Sequence, residues 1–338
     1  MTRLRFGSNN NAKDLAQYAG WCRAAEGFGF ELLGFGDSQL LWMDPFVALT
    51  VAAQNTTTAR IGPVVANPVT RHPAVMASAM STLQNLSGGR AICALGSGDS
   101  ALRNIGIPPV TRTQLEEYAL AVKGLCAGNT VRYQGHDLAM QWQTGPVPVW
   151  LSAEGPKMLE LAGRIADGVI IGTGLTEDVV KDSIARVKKG AESAGRDPSD
   201  IEMWWIAKPF LSDTEEEGWA QIRGLLALSA NKHFRHSVEG KFLPEHLHEP
   251  VQRLQQEYAY NAHADFHAPS HNARLVEKHG LTEFLGRRFS ICGSNEQIIN
   301  RLHELAGYGV RNLIMIQMVP DQIAAMRWLS EKIFPAFR

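Results

Sequence analysis

Four short apolar runs open the chain at nearly equal intervals: Leu4 to Gly7, Leu32 to Gly36, Ile61 to Ala66 and Ala91 to Gly96, with starts 28 to 30 residues apart. That interval is the length of one buried strand plus one crossover helix, so the chain is constrained to repeat a βα unit around a parallel sheet. Helical periodicity fills the gaps. Asp14 to Phe28 sets Leu15, Tyr18, Ala19, Cys22 and Ala25 on one face with Asp14 as cap. Asp44-Pro45 and Pro73 open the next two helices, the second running to about Leu86.

The alternation continues. Helices are predicted over 113–126, 156–165, 177–194, 294–305 and 320–333, strands over 147–152, 168–172, 201–208 and 310–317, and a small polar hairpin around 131–140. Eight strands alternating with helices build either a closed (β/α)8 barrel or an open doubly wound sheet. The near-constant length of the first four units favours the barrel. So does the lack of a Gly-x-Gly-x-x-Gly turn after the first strand, where Gly7-Ser8-Asn9-Asn10-Asn11 stands instead. The 338 residues would suggest two domains at ~150 residues each. The strand count reassigns them to one α/β domain over 1–338, a TIM barrel with a helical insertion over 231–287 between strands 7 and 8, placed to act as a lid.

That insertion holds eight of the eleven histidines: His233, His236, His246, His248, His263, His267, His271 and His279. The pairs His233/His236 and His246/His248 have the spacing of metal ligands, but no His-Glu-x-x-His or cysteine cluster accompanies them, and no metal is expected. Cys22, Cys93, Cys126 and Cys292 are scattered and read as reduced thiols. Lys+Arg 33 against Asp+Glu 34 gives a net charge of -1, which supplies no basic field for nucleic acid or a membrane surface. The N-terminus lacks the apolar stretch of a signal peptide and no run approaches a membrane span, so a cytoplasmic protein is expected. Neither a Ser-His-Asp spacing nor a Gly-x-Ser-x-Gly elbow argues for hydrolysis.

In such a barrel the active site forms just past the C-terminal ends of the strands. Those positions read Gly36-Asp37-Ser38 with Trp42 beyond, Ala66-Asn67-Pro68-Val69-Thr70-Arg71-His72, Gly96-Ser97-Gly98-Asp99-Ser100, Ser152-Ala153-Glu154-Gly155 and Gly172-Thr173-Gly174. Glycine-rich ends that lead into helices expose backbone N–H groups able to hold a phosphate, although glycine also simply makes tight βα turns. Asp37 ends an apolar strand on the face where a site forms. Asn67 before Pro68 is equally a turn pair, Asp99 either caps the next helix or counters Arg103, and Trp42 either anchors its loop or walls a pocket.

These residues together resemble the bacterial luciferase-like superfamily. Asp37, the run Gly62-Pro63-Val64-Val65-Ala66-Asn67-Pro68, the block Thr82-Leu83-Gln84-Asn85-Leu86-Ser87-Gly88-Gly89-Arg90, Gly96-Ser97-Gly98-Asp99 and Glu154-Gly155-Pro156-Lys157 carry the likeness. It covers most of 1–200 and returns over 288–318, nearest to methylenetetrahydromethanopterin reductase-like proteins. The resemblance implies a cofactor, coenzyme F420 or FMN, bound at the C-terminal face. It also implies a non-prolyl cis peptide at Val64–Val65 behind the ring. By motif position Asp37 or Asp99 assists proton traffic and Trp42 walls the pocket. Val64, Val65, Ala66, Asn67, Gly96 and Ser152 fall around the ring, and Glu154, Gly155, Gly172 and Thr173 hold the phosphate. The implied activity is hydride transfer between F420, or a flavin, and a small organic substrate. Alternatives are an FMN-dependent monooxygenase fed by a separate flavin reductase, or a flavin-binding protein without catalysis. Relatives imply a homodimer. Ser38 and Leu175 depart from the sugar-phosphate dehydrogenases, which carry His and Lys there.

Overall fold

All eight expected runs become strands in the computed structural model, which describes residues 3–235, 237–262, 265–266 and 269–338. They are β1 Arg5–Asn9, β2 Leu32–Phe35, β3 Arg60–Pro63, β4 Cys93–Leu95, β5 Val149–Ala153, β6 Gly168–Ile171, β7 Glu202–Ala207 and β8 Asn312–Met315. Every neighbouring pair is parallel, in the order β3-β2-β1-β8-β7-β6-β5-β4. Bridges Ile61–Ala91 and Ala66–Leu95 return β4 to β3 and close the barrel.

The third strand stops earlier than its apolar run. Pro63 has no amide hydrogen to extend a ladder, and the chain bulges through Val64 and Val65, which are joined by a cis peptide. The pairing resumes at Ala66, whose N–H donates to the Ala94 carbonyl at 2.9 Å. Side chains alternate between faces along each strand. Leu32, Ile92, Ala94, Trp150, Ile170, Trp204 and Ile314 fill the barrel interior, with Val64, Val65, Ile206 and Ile316 packed against them. Leu33, Phe35, Ile61, Leu95, Leu151 and Leu313 point outward into the core shared with the helices.

The helices begin where their caps predict. Asp14 accepts from the Gln17 N–H at 2.9 Å and Asp44 from Phe46 at 2.8 Å. Pro45, Pro73 and Pro156 occupy first turns. The helices Pro156–Ile165 and Glu177–Ser193 pack backbone to backbone, since a Cβ at Gly163 would lie 2.1 Å from the Val187 carbonyl oxygen and one at Gly190 2.0 Å from that of Glu160.

Between β7 and β8 the helical unit runs wider than 231–287. It includes Glu215–Gln221, Arg223–Phe234, His248–Glu257, His271–Lys278 and Thr282–Phe289, which enclose a core of their own around Trp219, Leu226, Phe234, Leu254, Leu275 and Phe289. Most of the first two of these helices precedes residue 231, in a stretch to which the sequence assigns no element, and their apolar sides turn to the core of the insertion. Two three-residue strands, Pro209–Leu211 and Ile291–Gly293, pair in parallel at its base and are too short to carry a sequence signal. His236, His263 and His267 lie outside the described residues. Among the described residues no group of three or more metal-ligating side chains is assembled, and no helix is long and apolar enough to cross a membrane.

Candidate active site

The C-terminal ends of the strands open into a cavity of about 410 Å³. Asp37 sits at its edge with a side chain 1% exposed, and its Oδ2 accepts from Arg71 Nη1 at 2.8 Å. Arg71 is itself fixed: Nη2 reaches Asp44 at 2.8 Å, the guanidinium lies over the Phe46 ring, and its carbonyl accepts from Tyr118. Burial pushes the Asp37 pKa up, and the attraction of Arg71 offsets only part of that. Asn67 makes a turn and also borders the cavity. Its Oδ1 accepts from the Val69 and Thr70 N–H groups at 3.0 Å each, forming the turn, while Nδ2 points to Asp37 at 3.4 Å.

The loops after β2 and β4 are tied together. Ser38 and Ser100 hydroxyls lie 2.5 Å apart and Gln39 donates to the Ala101 carbonyl at 2.8 Å. Asn11, beyond β1, accepts from the Gly36 N–H at 2.8 Å. Val64, Val65, Ala66 and Gly96 line the cavity beside Trp42 and Ser152. Only a glycine fits at 96, because a Cβ there would approach Val65 Cγ2 at 2.9 Å.

Of the thirteen expected site residues, eleven border this cavity: Asp37, Trp42, Val64, Val65, Ala66, Asn67, Gly96, Asp99, Ser152, Glu154 and Gly155. Gly172 and Thr173 do not. Gly172 lies against the Glu154 side chain, and the Thr173 hydroxyl pairs with Ser183 at 2.9 Å while its carbonyl accepts from Arg288 at 3.1 Å. Thr173 borders a separate small pocket with Gly155, His233, Lys241 and Arg288.

The opposite wall comes from the insertion. Arg235 Nη1 pairs with Asp99 at 2.6 Å, which also holds Arg103 at 3.0 Å, and Lys232 pairs with Glu154 at 2.5 Å. Lys241 donates to the His233 carbonyl. Deeper in, Arg288 bonds His233 Nε2 at 3.0 Å. Burial, then the charges of Arg288, Lys241 and Lys232, push the His233 pKa down, which leaves the imidazole neutral. Burial also lowers Lys208, just past β7, to about 8, against the pull of Glu154. Beside the backbone N–H groups expected to hold a phosphate, the fold places a wall that carries Lys232, Arg235 and Lys241. Lys232, Arg235 and Lys241 carried no signal of their own, because only docking of a remote helical segment brings them over the barrel.

A family model for luciferase-like monooxygenases matches residues 1–312. The chain belongs to that family. It is 29% identical to 5,10-methylenetetrahydromethanopterin reductase of Methanolobus tindarius, over 98% of each chain. It is 25% identical to the F420-dependent glucose-6-phosphate dehydrogenase of Nakamurella multipartita, over 90% of this chain and 98% of that one. The fold of this luciferase-like barrel superposes on the coenzyme F420-dependent tetrahydromethanopterin reductase of Methanopyrus kandleri with a TM-score of 0.79 at 21% identity, covering 100% of both chains. A long-chain alkane monooxygenase superposes with a TM-score of 0.69 at 16% identity, over 99% of this chain and 91% of that one. The luciferase-like chain is an oxidoreductase.

Proposed function

We propose that this protein uses coenzyme F420 to move a hydride to or from a small organic substrate. The observation that carries the reading is the charge of the cavity mouth. Among the described residues Lys232, Arg235 and Lys241 border the cavity, where Lys232 pairs with Glu154 and Arg235 shares Asp99 with Arg103. Among the described residues Arg235 Nε and Nη2 are buried without a hydrogen-bond partner. Unpaired buried donors favour a ligand rich in anionic oxygens, and relatives named for F420 match nearly the whole chain.

The deazaflavin, when bound, supplies a two-electron hydride donor or acceptor. The residues of this chain bind and orient it. The bulge at Val64–Val65 offers an apolar shelf for a planar ring, with Trp42 and Met158 along the same cavity. Asp37 keeps its proton to higher pH than an exposed carboxylate does, and Arg71 fixes the direction of Oδ2. The insertion walls one side of the cavity through Leu228, Lys232, His233, Arg235 and Lys241.

Anaerobic titration with F420 and, separately, FMN tests the assignment through cofactor fluorescence. Saturable quenching of F420 is expected. Tight FMN binding without F420 binding, or oxygen uptake driven by reduced FMN, overturns it.

A further inference from the structure

A second cavity, of about 600 Å³, opens at the N-terminal face of the barrel, opposite the site described above. Its wall is formed by Arg5 and Arg60, one at the start of β1 and the other at the start of β3. Both pair with one carboxylate, Glu202, which also accepts from Trp204 Nε1 at 3.1 Å. Each guanidinium lies over an indole that plugs the barrel floor: Arg60 over Trp150 at 4.7 Å and Arg5 over Trp204 at 5.2 Å. The two cations are therefore held flat and in fixed directions around a single negative charge.

Their remaining donors are unused. Arg5 spends Nε on Asn312 at 2.7 Å and Nη2 on Glu202, and Arg60 spends Nη1 on Glu202. Among the described residues neither Arg5 Nη1 nor the Nε and Nη2 of Arg60 has a hydrogen-bond partner, and none of the three is sealed from solvent. Nε and Nη2 form the side edge of a guanidinium, whose two parallel N–H bonds match the two oxygens of a carboxylate or phosphate. The other acids at this cavity are engaged. Glu31 pairs with Arg3 at 2.9 Å, and Glu26 accepts from the N–H groups of Thr57, Thr58 and Ala59. Burial and the neighbouring Arg5 also lower the Arg60 pKa, as expected of a cation short of counter-charge.

We propose that this cavity is a binding site for a small oxyanion, a phosphate or carboxylate held bidentately by Arg60 and supported by Arg5 Nη1. It is independent of the cofactor reading, since it lies on the other face of the barrel. Occupation would neutralise the excess charge of the Arg5–Glu202–Arg60 triad and stabilise the folded chain by mass action.

The test is thermal unfolding and isothermal calorimetry of the full chain with inorganic phosphate and with malonate, against sodium chloride at matched ionic strength. Saturable stabilisation by either oxyanion but not by chloride is expected; phosphate alone or malonate alone identifies the preferred headgroup. Arg60→Lys keeps the charge toward Glu202 while removing the fork, and is expected to weaken binding at least about tenfold. Lys241→Ala, at the opposite face, separates out any phosphate held by the cationic wall of the cofactor cavity: the part of the effect that Arg60→Lys removes is expected to persist in it. Loss of the effect in Lys241→Ala with retention in Arg60→Lys, or no saturable binding in the unaltered chain, overturns the proposal.

Discussion

At Asp37 burial and pairing act in opposite directions, and burial prevails. A carboxyl with a raised folded-state pKa keeps its proton to higher pH than in the unfolded chain. Folding stability therefore falls as pH rises from the ordinary carboxylate range through the raised value. A carboxyl-carbon NMR titration should place the Asp37 midpoint above about 3.9, the unperturbed value, and Asp37→Asn should remove that limb from the pH–stability curve. Lys208 is the opposite case. Its pKa falls to about 8, so below that pH a buried charge opposes folding, and the opposition is relieved between about 8 and the unfolded value. Lys208→Met should raise stability at pH 7 by up to about 3 kcal/mol, with little gain at pH 10, as read by urea unfolding. Asp37 was legible in sequence because it ends a strand. Lys208 was not, because nothing in Ala207-Lys208-Pro209 tells that a helical unit closes over it.

The elements were legible where local chemistry decides them. Asp14, Asp44 and Ser294 start helices by accepting N–H bonds from two or three residues along, an interaction written within one turn of sequence. Glycines separate local from tertiary demand. Gly20 lies within the helix Leu15–Gly27 with open space where a Cβ would stand, so Gly20→Ala should stabilise the protein by about 0.5–1 kcal/mol. Gly190 lies within the helix Glu177–Ser193, yet its Cβ would strike the Glu160 backbone. Gly190→Ala should force the two helices apart and lower the melting temperature markedly, by an amount comparable to overpacking a core, about 1–3 kcal/mol or more. Chemical denaturation of the two variants side by side checks both signs.

On the scale of the whole molecule, barrel and insertion meet across the cavity through two ion pairs, Lys232–Glu154 and Arg235–Asp99. Replacing Lys232 and Arg235 together by Met should loosen that contact. Amide hydrogen exchange over Arg223–Phe234 should quicken while the barrel strands stay protected, and F420 affinity should fall at least about tenfold, in keeping with the loss of two buried charge contacts. The sequence by itself determined the repeating βα unit, the eight strands and the strand ends that line the cavity, because strand period, helix caps and strand ends are local properties; Val64 and Val65 were marked by the family resemblance. Tertiary structure alone decided that Gly172 and Thr173 stand behind Glu154, that Lys232, Arg235 and Lys241 face the cavity, and that Arg5 and Arg60 share Glu202 at the barrel floor. Those contacts join segments far apart in the chain, and their energies depend on distance and burial, which spacing along a sequence does not encode.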